Sequence, residues 1–259
     1  MRSTKPRVFL IARPTLDLSA ANSYLECVGG EGWLQSRETE EDRSADAELL
    51  IEFAGRTCYR SWEPGLNPNV TKIRTDQREY FENLLSSGHG SVLEHANFTF
   101  VFHQVSRVFT HELVRHRAGS AFSQESLRYV RLVDIGFRVP PALEPVRQQA
   151  IELVERLEEF QASSAEELLD DGVPFSVKKE VTSALRRLAP LGLSTEIVWT
   201  ANVRTLRHVI AQRTAQGAEE EMRLVFDEVA QFCVEEAPSL FQDFARSNDG
   251  SWVPQYSKV

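Results

Sequence analysis

Cysteine is scarce in this sequence. Three residues in 259, Cys27, Cys58 and Cys233, lie far apart and are odd in number. That argues against a disulfide framework and suits a reducing compartment. Long apolar runs are also missing; none approaches the roughly 20 residues needed to cross a bilayer. Near the N-terminus basic residues precede a short apolar run, Val8 to Ala12, but Arg13 and Pro14 end it. A first strand is therefore expected there rather than a signal peptide. Positive charge is in deficit, with 29 Lys and Arg against 38 Asp and Glu and a net charge of −9. A pI near 5.3 argues against non-specific nucleic-acid binding by the whole surface. The sequence has no G-x-G-x-x-G frame, no C-x-x-C pair, no internal repeat and no linker long enough to divide the chain. What is present, 42% hydrophobic and 26% charged residues, reads as a soluble cytoplasmic protein with one α+β domain over residues 1–259.

Periodicity places the elements. Arg7 to Ala12 reads as a strand, and residues 14–43 as weakly patterned chain around a flexible Gly29-Gly30-Glu31-Gly32 turn. Ser44 to Gly55 reads as a helix, followed by Arg56-Thr57-Cys58-Tyr59-Arg60, whose cysteine is expected to be half-buried at the helix exit. A second helix is expected from Arg74 to Ser87, stopped by Gly88. Phe98, Phe100 and Phe102 alternate with Thr99, Val101 and His103, the period of a strand with one aromatic face. From Ser106 the period becomes helical through Arg117, with Arg107, His111 and Arg115 as a polar stripe. Ser120 to Ser126 is a polar segment, and Arg128 to Leu132 looks extended. Pro140-Pro141 opens a helical region to about Asp170 with Val146, Ala150, Leu153, Leu157 and Phe160 as its apolar stripe. Further helices are expected at Ser176–Arg187, Asn202–Arg213 (polar positions Arg204, Arg207, His208 and Arg213) and Glu219–Glu235, with a strand at Leu193–Thr200.

Five of the six histidines, with Arg107, Arg115, Arg117 and Arg128, fall between His89 and Tyr129. Cations gathered in one place on an acidic chain point to an anionic ligand. A metal reading fails on spacing. His111 and His116 are five apart, roughly 140° around a helix, whereas a metal-binding pair sits one turn apart on one face. Arg115-His116-Arg117, taken as a helix end, splays its donors over about 200°, so they cannot converge on one ligand atom.

The order of the blocks is specific. His89-Gly90-Ser91-Val92-Leu93-Glu94-His95, a strand, Arg115-His116-Arg117, then Ser126 and Arg128-Tyr129 resembles the flavin-dependent thymidylate synthases. The resemblance continues through Arg186 before Leu188-Ala189-Pro190, and through Asn202-x-Arg204 to Arg213, so its landmarks run from about Glu52 to Glu221. One departure stands out. Eight residues separate Arg117 from Ser126 where the family signature has seven, and the extra one is placed between Ser120 and Ser123, at Ala121 and Phe122.

The resemblance implies an α+β fold with a mainly antiparallel sheet flanked by long helices. It also implies reductive methylation of dUMP to dTMP, with 5,10-methylenetetrahydrofolate as carbon donor and FAD reduced by NADPH. It assigns dUMP to Glu112, Leu113, Val114, Arg115, Gln124, Glu125, Ser126, Leu127, Arg128, Arg186 and Arg213. FAD goes to Ser91, Arg115, His116, Arg117, Asn202, Val203, Arg204 and His208. Arg213 is the expected catalytic residue, a fixed cation that favours ionisation of the uracil at N3. Ser126 is assigned to binding, since the family works without an enzyme nucleophile on uracil. The expected assembly is a homotetramer with active sites shared between subunits. Other readings of the same residues are an enzyme acting on another pyrimidine nucleotide and a non-catalytic flavin- or nucleotide-binding regulator.

Overall fold

The computed structural model describes residues 2–38, 45–128, 136–170 and 172–259. A two-residue strand β1 (Arg2–Ser3) and the strand β2 (Arg7–Ala12) lead into α1 (Leu18–Val28) and α2 (Glu31–Glu38). These two helices lie within the weakly patterned stretch of residues 14–43. The Asp17 carboxylate accepts from Ala20 N to cap α1, and Gly29 closes it at φ 73°, so the glycines punctuate helices rather than a coil. Trp33 and Leu34 of α2 pack with Leu25, Leu49 and Trp62 in a cluster of their own, a tertiary gain that weak periodicity does not reveal.

Next come α3 (Asp46–Tyr59) and α4 (Gln77–Ser86), then a 3₁₀ turn over Gly90–Glu94. Cys58, on the last turn of α3, is exposed rather than half-buried. β3 (Asn97–Ser106) passes directly into α5 (Arg107–Leu113), with the Ser106 hydroxyl accepting from Phe109 N at 3.1 Å. This helix stops four residues short of the expected Arg117. Arg115-His116-Arg117 therefore lies in the turn after it, where His116 N donates to Leu113 O at 3.0 Å.

The expected polar segment then contains a strand, β4 (Ser120–Gln124), pairing in unbroken register from Ser120 opposite Ala201 to Gln124 opposite Ile197. Ala121 and Phe122, where the extra residue was placed, make no bulge in that ladder. Tyr129 and the extended run after Arg128 lie outside the described residues.

The chain continues with β5 (Gly136–Phe137), a 3₁₀ turn over Pro141–Val146, α6 (Arg147–Leu168), α7 (Phe175–Leu185) and β6 (Ser194–Asn202). It closes with α8 (Val203–Arg213), α9 (Glu220–Glu236) and a small antiparallel pair, β7 (Phe244–Arg246) and β8 (Trp252–Pro254), that periodicity did not indicate. The apolar stripe expected to face inward on α6 stays largely outward: Val146, Leu153 and Phe160 are all exposed, and only Val154 and Gln161 of α6 are buried.

The central sheet is antiparallel throughout, in the order β2-β3-β6-β4. Its inner face carries Phe98, Phe100 and Phe102 from β3 and Ile197, Trp199 and Ala201 from β6, packed against Met222, Phe226, Val229 and Cys233 of α9. The register of β3 shifts between Phe102 and Val105, where Gln104 takes φ 56° and Glu196 accepts from Gln104 N and His103 Nδ1. Among the described residues no helix is long and apolar enough to cross a membrane.

Buried charge ties the helices around this sheet. Glu52 of α3 is fully buried and accepts from Trp33 Nε1, Arg37, Arg56 and Gln77. Burial alone would raise its pKa; the Arg37 hydrogen bond and the Arg56 and Arg37 charges overcome that and hold it below the usual carboxylate value. Removing the carboxylate strands two guanidinium groups without their counter-charge. Glu52→Gln should therefore destabilise the fold by roughly 3–5 kcal/mol, read as a lowered midpoint in chemical denaturation. A loss below about 1 kcal/mol, the range of exposed pairs, would show that the cluster is not energetically coupled.

Candidate active site

Two strand-to-helix junctions build the site. At the end of β6, the Asn202 side chain accepts from Thr205 N at 2.8 Å and starts α8. At the far side of α5, the turn holding Arg115-His116-Arg117 docks on that junction. Asn202 N donates to Gly119 O at 3.1 Å, and Thr205 Oγ1 donates to Ala118 O at 2.8 Å. Gly119 sits at φ 65°, and a Cβ there would collide with the Asn202 amide and the Thr205 hydroxyl. Only glycine satisfies both demands. Blocks nearly ninety residues apart in sequence are thus locked together by backbone.

At the other end of α8, Arg213 closes the arrangement. Its Nε donates to His116 Nε2 at 2.7 Å, one terminal nitrogen to the Glu112 carboxylate at 2.8 Å, and the other to the Glu112 carbonyl at 3.3 Å. A guanidinium has five N–H groups, so two remain for a ligand. Glu112 also faces Arg115, at 3.7 Å, while Arg115 itself is 69% exposed. His208 packs edge-on to His116 with ring centroids 6.2 Å apart. Burial first, then the Arg213 and His208 charges, lower the His116 pKa to about 4, with Glu112 opposing. His116 is therefore neutral near pH 7, with its proton on Nδ1 and Nε2 free to accept from Arg213.

A cavity of about 600 Å³ opens beside the N-terminal end of α8. Ser91 and Arg204 line it, with His89, Tyr59, Arg56 and Lys72. Arg204 is ion-paired with Glu94 at 2.7 Å, and the backbone of Gly90 comes so close to it that a Cβ would meet Arg204 Nε at 2.8 Å. Tyr59 stacks on His89 at 5.9 Å. Cationic donors beside flat aromatic rings suit an anionic ligand that carries a ring system, and a flavin dinucleotide has both.

Several residues in this region did not figure among the expected site residues. Tyr59, Arg56 and Lys72 carried no signal of their own in the sequence, where Arg56 to Arg60 reads as a helix exit. His89 stood in the cationic cluster and at the head of its first motif, which could have marked it.

The remaining expected residues divide. Leu113, Leu127 and Val203 are placed in the core, so none offers a ligand its side chain, and Val203 N is already donated to Ala96 O at 3.0 Å. Arg207, grouped with the polar positions of α8, is buried and bound to Asp243 at 2.7 and 2.8 Å. Ser126 Oγ accepts from Arg128 N at 3.3 Å. Glu125 and Arg186 act electrostatically on Arg107, at the start of α5.

Comparison with known proteins places this geometry. The family described as thymidylate synthase complementing protein matches residues 41–239. Flavin-dependent thymidylate synthases from Mycobacteroides abscessus and Mycobacterium avium are each 38% identical, over 225 and 229 residues. Those matches cover 82% and 81% of this chain, and 87% and 86% of the relatives. The chain belongs to the flavin-dependent thymidylate synthases. A UMP/dUMP methylase, PolB of Streptomyces cacaoi, solved with 5-Br UMP, shares the fold at a TM-score of 0.62 and 20% identity. That likeness covers 93% of this chain and 94% of the other. This member of the flavin-dependent thymidylate synthases is thus a flavoprotein transferase.

The depressed pKa of His116 has a consequence for this enzyme's pH range. The unfolded chain takes up a proton on this histidine near pH 6.5, but the folded protein only near 4. The stability tied to a neutral His116 is therefore complete above about pH 6.5 and is lost as pH falls toward 4. Denaturation midpoints of the wild type should drop more steeply across that window than those of His116→Gln, which accepts from Arg213 without titrating. Parallel curves would mean that His116 titrates as an ordinary surface histidine.

Proposed function

We propose that the enzyme converts dUMP to dTMP, taking carbon from 5,10-methylenetetrahydrofolate, with NADPH as the reductant of bound FAD. The observation that carries this reading is the Arg213 guanidinium, pinned by Glu112 and His116 with two N–H groups left over. A cation held this way cannot swing to solvent, so it costs no reorganisation when charge develops on a ring beside it. Against the uracil it would stabilise the N3 anion and push electron density toward C5. His116, kept neutral, orients Arg213 without adding a second positive charge.

Reduced FAD supplies the hydride when bound. Ser91 and Arg204, which line the cavity at the start of α8, would hold it together with Arg117 and His208. Gln124 to Arg128 and Arg186 would hold the nucleotide, with the Ser126 hydroxyl binding rather than attacking. Of the three thiols, Cys58 lines the cavity and the other two lie away from it. Cys233 is buried in the core with its pKa pushed up by burial, and Cys27 is exposed on α1. Exposed, unpaired Cys27 and Cys58 also agree with a cytoplasmic location.

A homotetramer with sites shared between subunits is part of this reading. The exposed apolar face of Leu153, Phe160 and Phe175 gives such an assembly area to bury. Light scattering should report four times the 29.4 kDa chain mass; a monomer that still turns over would refute shared sites.

The purified protein should be yellow and should release tritium from C5-labelled dUMP only with NADPH and methylenetetrahydrofolate present. Arg213→Ala should keep its flavin spectrum while tritium release falls about 10²- to 10³-fold. A colourless protein that takes up no FAD sinks the proposal. Release with UMP or dCMP but not dUMP would redirect it to another pyrimidine.

A further inference from the structure

The loop between α3 and α4 is fixed at both ends by one side chain. Arg56 is buried, with its guanidinium 4.8 Å from the centroid of the Tyr80 ring. It donates from Nη1 to Ser61 O at 2.6 Å and from Nη2 to Arg74 O at 2.5 Å, while its Nε is spent on Glu52 at 2.7 Å. A loop whose ends are clamped by a buried group holds its other side chains on a firm support. Lys72 and Arg74 of this loop line the cavity of about 600 Å³, together with Ser91 and Arg204.

The charge around that cavity is of one sign. Arg56, Lys72, Arg74 and Arg204 all line it, and among the described residues no Asp or Glu does. Glu52 answers Arg56 and Glu94 answers Arg204, one carboxylate for each guanidinium. Lys72 and Arg74 share one: Glu79 Oε1 accepts from Lys72 Nζ at 2.5 Å and lies 3.6 Å from Arg74 Nε. The Lys72 side chain is 62% exposed and that of Glu79 48%, so their pairing is weakly held. The two cations thus already converge on the side-chain carboxylate of a glutamate, and little opposes its exchange for a ligand's.

We propose that Lys72 and Arg74 form a subsite for the glutamate end of the folate co-substrate, whose carboxylates take the place of Glu79. This rests on the folate reading given above. In that reading the ring system of the folate meets the flavin inside the cavity, and its acidic tail runs out along the exposed loop. The tail carries two carboxylates, which suit the fork of Arg74 and the point charge of Lys72. The phosphates of the reductant are the competing anion. The group that the pair already holds is a carboxylate, and this favours the folate.

The test uses flavin-loaded enzyme with methylenetetrahydrofolate and with methylenetetrahydropteroate, which lacks the glutamate. Binding is read by titration of the flavin absorbance, then compared with turnover. Wild type should bind the folate about tenfold more tightly than the pteroate, as expected of two partly exposed ion pairs. Lys72→Gln combined with Arg74→Gln should abolish that preference by weakening the folate alone, with the flavin spectrum intact. In turnover the loss should fall on KM for the folate rather than on kcat. Glu79→Gln, which removes the competing carboxylate, should tighten the folate and leave the pteroate where it was. Equal weakening of both compounds, a wild type that binds them alike, or a Glu79→Gln enzyme that binds the folate less well overturns the proposal. So does a loss confined to KM for NADPH, which would give the loop to the reductant's phosphate. Wild type that takes up FAD and binds neither compound refutes the folate reading, and the subsite with it.

Discussion

The pairing of β6 with strands on both sides is the constraint on which the rest hangs. β3 lies along one side and β4 along the other, and each of the three ends or begins at a residue that the site uses. β3 and β6 run antiparallel, so α5 and α8, which leave their C-terminal ends, start at opposite ends of the sheet. Each helix then travels back toward the other's origin. That is why the turn after α5 meets the start of α8 at Gly119 and Asn202, and why Arg213 at the end of α8 meets Glu112 near the end of α5. Short helices on a central antiparallel pair give a closed circuit of contacts without a dedicated cofactor domain.

Charge is buried at several points, and the contrast between them separates scaffold from site. Glu52 and the Arg207–Asp243 pair have their main hydrogen bonds filled from within the chain. Glu221 likewise receives the Ser106 N–H and hydroxyl, fastening α9 to the β3–α5 junction. Such groups are desolvated and paired, and they fix geometry at little net gain in stability. Arg213 differs, being anchored with donors to spare. Incomplete satisfaction on a rigid support is what a ligand site looks like before its ligand.

The depressed pKa of His116 belongs to the same logic. Placed between Arg213 and His208 and partly buried, it cannot take a proton near neutrality. Its Nε2 lone pair is then available to hold the Arg213 guanidinium.

Residue types and their order determined the family, the antiparallel α+β fold and the chemical character of the ligands. Alternating phenylalanines announce β3 because a half-buried strand must alternate, and Asn202 and Arg204 announce α8 because a cap and its first turn are local. Local chemistry could not announce α1 and α2, whose stability comes from Trp33 and Leu34 packing on Trp62, nor the short α5, which ends where the Gly119 turn must reach Asn202. It also could not divide the cations. Arg107, Arg115, Arg204, Arg207 and Arg213 are alike as letters. Only tertiary placement buries Arg207 against Asp243, pairs Arg204 with Glu94, and pins Arg213 on Glu112 and His116. The free energy of a guanidinium depends on what surrounds it, and those surroundings come from parts of the chain up to 110 residues away.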